Sequence, residues 1–180
     1  FYNSSMYNNF RFELSFKDIP QLDKKIKFCI SNKIKKINIP CKGSIKKDIL
    51  DKTIKYIGEN YKDLDVIYHY SLYHQFKKDS KTSYLEFLNF IKKFNYYKNN
   101  EILLVSGSIK KKNFEVLDVL KNLNNEKKIL TTNFGIAYNP YLEKYYGLCG
   151  EKVRFEKKIS SGLTKSIWLQ FGTDIKLLES

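Results

Sequence analysis

Cysteine, glycine, proline and tryptophan are scarce in this 180-residue chain, which has three Cys, eight Gly, three Pro and one Trp. Cys29, Cys41 and Cys149 stand far apart and form no CxxC pair. That spacing argues against a zinc knuckle, and the odd count against a secreted disulfide framework; a reducing compartment fits. Histidine is limited to His69 and His74, with no acid-Ser set near them, which gives a Ser-His-Asp triad little support. The G-x-G-x-x-G fingerprint of a dinucleotide-binding turn is missing, as are the RRM and KH signatures of RNA-binding modules. No apolar run reaches the ~18–20 residues needed to span a bilayer, and the first residues carry no signal-peptide core.

What is present is a core-forming composition under a strong positive charge. Hydrophobic residues make up 42% of the chain, with 14 Tyr and 13 Phe, which is not the composition of a disordered segment. The 33 basic and 19 acidic residues leave a formal net charge of +14. Such an excess favours polyanions such as RNA or an acidic membrane surface. The accompanying bias toward Lys, Asn, Ile, Tyr and Phe also follows from A+T-rich codons, in which case many lysines are simply solvated faces.

Short β-type runs alternate with helical patterns along the whole chain. Strands are predicted at Arg11–Phe16, Lys36–Ile39, Asp65–Leu72, Glu101–Val105, within Lys128–Ala137, and at Ser166–Phe171. Helices are predicted at Ile19–Ser31, Lys46–Gly58, Ser83–Phe94, Phe114–Leu123 and Glu151–Ser161, the last closed by Gly162. Asn122–Lys128 reads as a polar loop. Six strands alternating with helices imply βαβ units, a parallel sheet and a single α/β domain over residues 1–180. Without a dinucleotide fingerprint, a barrel is the better expectation than an open doubly wound sheet. A full barrel takes roughly 250 residues in eight units. This chain is therefore expected to form about six of the eight β/α units of a TIM-type barrel, with strands in chain order.

In such barrels chemistry gathers at the C-terminal strand ends. Those ends carry Glu13, then Pro40 and Cys41, His69 and Ser71, Ser106-Gly107-Ser108, Ala137 and Tyr138, and Gln170. In this order the segments RFELSF, INIPCKGSIKKD, YHYSL, NEILLVSGS, FGIAYNP and FEKKISSGLTKSIWLQFGTD resemble the methylenetetrahydrofolate reductase family. The resemblance implies a β/α barrel that binds FAD and passes a hydride from NAD(P)H to a folate. It puts Glu13 at the family's acid and His69, Ser108, Tyr138, Lys157 and Lys158 at cofactor-facing positions. Gln170 and Phe171 fall at substrate-facing ones. Gly43, Ser44, Asp48, Gly162 and Asp174 match further motif positions.

The departures bear on activity. The family's Arg-Gly-Asp is here Ser106-Gly107-Ser108, and its flavin-facing Thr is Pro40, which offers neither hydroxyl nor N–H. The histidine after the A-Y-P segment is replaced by Asn139-Pro140-Tyr141. The sequence is thus expected to be a catalytically degenerate relative, binding no FAD and acting as a subunit of a larger assembly in an organelle such as the mitochondrion. An organellar ribosome or a membrane complex would suit its charge, with RNA touched electrostatically. The competing expectation is an FAD-dependent reductase of one-carbon metabolism with Glu13 as its acid. Plainer roles also exist: ion pairing for Glu13, hydrogen bonding to buried backbone for Gln170, and a solvated helix face for Lys157 and Lys158.

Overall fold

Helix boundaries follow local chemistry. The computed structural model describes residues 10–41, 47–97, 101–106, 114–126, 131–140 and 150–170. The first helix, α1 (Ile19–Ser31), starts where the Asp18 carboxylate accepts the Gln21 N–H at 2.8 Å, with Pro20 in the first turn, where a missing N–H costs nothing. α2 spans Lys47–Asn60. α3 (Ser80–Tyr96) is capped in the same way, Asp79 accepting the Thr82 N–H at 2.8 Å. α4 (Val116–Asn125) opens with a reciprocal capping box between Glu115 and Asp118. α5 (Glu151–Ile159) is followed by Gly162 at φ +72°, a left-handed turn open to glycine without strain.

The strands are β1 (Phe12–Glu13), β2 (Lys36–Ile39), β3 (Asp65–Ser71), β4 (Glu101–Val105), β5 (Asn133–Tyr138) and β6 (Thr164–Leu169). They form one sheet in the order β1-β2-β3-β4-β5-β6, and every neighbouring pair is parallel. The chain is an α/β protein with an all-parallel, unswitched sheet, as its alternating pattern predicts. Several boundaries differ from expectation; α3 is longer than the predicted Ser83–Phe94 at both ends, and α2 runs on to Asn60. β1 is laddered over only two residues, extended by a Leu14 N–H bond to the Asn38 carbonyl. β6 begins two residues early, at Thr164. Asn122–Asn125 is the last turn of α4 rather than loop, because Leu123 is buried on the helix's apolar face and holds that turn down.

One face of the sheet carries the core. Ile37 and Ile39, Val66, Tyr68 and Tyr70, Ile102 and Leu104, and Phe134 and Ile136 alternate onto it. They meet Leu22 and Ile26 of α1, Leu50, Ile54 and Ile57 of α2, Phe87, Phe90 and Phe94 of α3, and Val119, Leu120 and Leu123 of α4. Tyr70 lies edge-on to Phe87 at 4.9 Å between ring centres, and Tyr68 to Phe94 at 6.0 Å. The opposite face presents Asn38, Ile67, His69, Ser71, Leu103, Gly135, Ser166 and Trp168. Asn38, Ile67, Ser71 and Leu103 are buried there too, although none belongs to the helix-packed core.

The strand ends step upward across the sheet. Carried through the ladder, the end of β1 (Glu13) is level with Ile67 of β3, and the end of β2 (Ile39) with Tyr68. β3 and β4 end together, at Ser71 and Val105. Ile136 is level with Leu104 and hence Tyr70, so Tyr138 and its partner Leu169 end two residues above Tyr70. Among the described residues no helix is long and apolar enough to cross a membrane.

Candidate functional site

The C-terminal strand ends gather some of the expected residues and separate others. Glu13 is exposed on the last residue of β1, beside Asn38 in the ladder. His69 lies on the face turned away from the helices, level with Leu103 of β4. Gln170 follows β6 directly, and its backbone N–H donates to the Tyr138 carbonyl at 2.9 Å, leaving its side chain exposed. Pro40 and Cys41 are both buried after β2, where the Gln75 amide donates to the Cys41 sulfur at 3.3 Å. Ser108, Phe171, Gly43, Ser44, Asp174 and Cys149 lie outside the described residues.

Tyr138 is turned the other way from His69. Its ring stacks on Phe155 of α5 with centres 4.4 Å apart, and Phe155 packs against the helix-side core. The two neighbouring lysines of α5 part company as well. Lys157 is exposed, whereas Lys158 is buried, with Nζ 3.1 Å from Glu151 Oε1 and donating to the Ala137 carbonyl at 3.2 Å. Glu151 in turn reaches Arg154, whose guanidinium also pairs with Glu115 at the start of α4. A single charge-assisted chain thus ties α4, α5 and β5 together. A buried lysine with two of its three donors on protein oxygens is poorly placed to hold a phosphate. The sequence does hold the signal: Glu151, Phe155 and Lys158 recur at spacings of four and three, one helical face.

A polar cluster on the face turned away from the packed helices was invisible to sequence reasoning. Glu101 Oε1 accepts the Ser166 hydroxyl at 2.6 Å and the Trp168 indole N–H at 3.1 Å, and that N–H also approaches Ser166 Oγ at 2.9 Å. These groups meet across β5 because Gly135 has no side chain. A Cβ there would stand 2.5 Å from Glu101 Oε1, 2.7 Å from Ser166 Oγ and 2.9 Å from Trp168 Nε1. The carboxylate is satisfied by two neutral donors, an arrangement that fixes three adjacent strands.

Among the described residues two thiols are free, Cys29 and Cys41, both buried. Burial raises the Cys29 thiol above its ordinary value, so it carries little thiolate at neutral pH. Among the described residues no group of three His, Cys, Asp or Glu side chains is disposed to hold a metal ion. Comparison with protein-family models and with curated proteins returns no match.

Proposed function

We propose that this chain is a catalytically degenerate, partial β/α barrel of the methylenetetrahydrofolate reductase type, serving as an accessory subunit of a larger assembly. Its ladder supports the barrel reading. Strand order never reverses, and from β1 to β6 the strand ends rise in unequal steps that average about one residue per strand, the mean stagger of an eight-strand barrel of shear 8. Burial of Ile67 and Leu103, outside the helix-packed core, is what a curling sheet produces.

The observation that carries the non-catalytic reading is the position of Lys158. The residue that resemblance assigns to the cofactor phosphates is buried against Glu151 and the Ala137 carbonyl. Tyr138, a second cofactor position, stacks on Phe155. Pro40 stands where the family has a hydroxyl. These described side chains do not fit a flavin. The assembly reading is supported by the sheet edges. β1 and β6 each lack a second neighbour among the described strands, and Phe12, Ile167 and Leu169 are exposed on them. Natural proteins cover such edges.

Native purification tests both parts. The expected result is a colourless protein without stoichiometric flavin, inert with NADH and NADPH, and eluting with partner subunits. A yellow protein that reduces an acceptor would replace this reading with an FAD-dependent reductase of one-carbon metabolism. Flavin binding regained by Ser108→Asp with Pro40→Thr would show that a pocket persists.

A further inference from the structure

At the opposite end of the sheet, where the strands begin, two grooves meet. The first, of ≈ 310 Å³, has Ile30, Tyr61 and Leu64 as its apolar wall and Lys33, Lys35 and Lys62 as its basic rim. The second, of ≈ 510 Å³, runs past Lys62 to Tyr96 and Tyr97. Lys62 lines both, so the two form one path. Lys33, Lys35 and Lys62 make no ion pair with any described residue. Glu59 and Asp63 share the rim and temper its local charge, while the chain's +14 supplies the long-range attraction.

The aromatic part of the path is propped from beneath. Gly58 leaves room for Tyr97, whose Cβ and Cδ1 lie 2.7 Å from where a Cβ would be. Tyr97 meets Tyr96 edge-on at 4.8 Å, and Tyr96 is 77% exposed. Tyr61 is fixed as well, its hydroxyl donating to the Asp23 carboxylate. A large aromatic ring held at the surface beside unpaired lysines costs little further ordering on binding.

We propose that this path binds single-stranded RNA, with a base stacked on Tyr96 and backbone phosphates against Lys62, Lys33 and Lys35. Exposed rings next to a basic groove are the combination by which single strands are held without sequence readout. An acidic peptide would use the lysines and leave the aromatic face idle. The site is independent of the accessory-subunit reading, since it shares no residue with the positions that reading concerns.

The test is fluorescence anisotropy of a fluorescein-labelled oligouridylate titrated with the full chain. Lys33→Glu, Lys35→Glu and Lys62→Glu together should weaken binding at least tenfold more than Lys52→Glu, Lys81→Glu and Lys121→Glu, which change the net charge equally. The site variant should also lower the slope of log K against log salt by about 2, from roughly 0.7 per lost phosphate contact. Tyr96→Ala should weaken binding by roughly tenfold with an unchanged thermal melt. Equal losses from the two triple variants would overturn the proposal in favour of net charge alone. An unaltered affinity in Tyr96→Ala, with polyglutamate competing as well as RNA, would overturn it in favour of an acidic peptide.

Discussion

Glu151 and Lys158 meet at 3.1 Å inside the protein, with 9% and 5% of their side-chain surfaces exposed. Removing one partner of such a pair strands the other in the interior. Lys158→Ala is expected to cost about 3 kcal/mol, the low end of the range for broken buried pairs, because Arg154 still approaches Glu151 at 3.4 Å. Urea unfolding at neutral pH measures it. A loss below about 0.5 kcal/mol, as for an ordinary surface site, would mean that the pair is not buried in solution.

Gly135 is the second sensitive position. A methyl group there pushes Glu101, Ser166 and Trp168 apart, since all three contacts are under 3.0 Å. Gly135→Ala should destabilise the fold by about 1–3 kcal/mol, the usual cost of overpacking. Trp168 is the single tryptophan, so its emission reports the same event directly. Glu101→Gln should shift that emission while leaving stability closer to wild type. An unmoved spectrum in both variants would remove the indole–carboxylate contact from the account.

Acid should expose a third contact. Lys27 first, then the Tyr56 and Tyr61 hydroxyls, hold the Asp23 carboxyl at about 2, against an ordinary value of 3.8. A carboxylate lowered on folding stabilises the native state above its unfolded value, and that contribution fades as pH falls through the folded one. The melting temperature of Asp23→Asn should therefore lie below wild type at pH 5 and converge with it as pH approaches 2. A gap that stays constant across that window would show that the carboxylate's charge plays no part.

Phe87 joins three elements. It is fully buried on α3 and touches Tyr70 of β3 and Phe134 of β5, with ring centres at 4.9 and 6.1 Å. Phe87→Ala is expected to cost about 3–5 kcal/mol. Phe87→Leu, which keeps most of the volume, should lose clearly less, and equal losses would contradict the packing described.

Much of the architecture was legible because its signals are local. Alternating strand and helix periods located all six strands and all five described helices, and the regular alternation implied the parallel order. The short extent of β1 escaped because a strand with one described neighbour stops where its ladder stops, and nothing in RFELSF marks that point. The end of α4 escaped because an Asn-rich composition hid the buried Leu123. The side-chain geometry was less legible. Lys157 and Lys158 look alike as text, and only the helical face they occupy separates an exposed ammonium from a buried one. The Glu101–Ser166–Trp168 cluster depends on register across β5 between residues 65 positions apart, which no local pattern encodes.

The unswitched strand order also bears on how the chain is made. In a doubly wound sheet of order 3-2-1-4-5-6 the fourth strand must return past its predecessor to pair with the first. Here β2 through β6 each dock on the strand that precedes them. During translation each emerging strand after the first finds a partner already extruded, so the sheet can be laid down in the direction of synthesis, one β/α unit at a time.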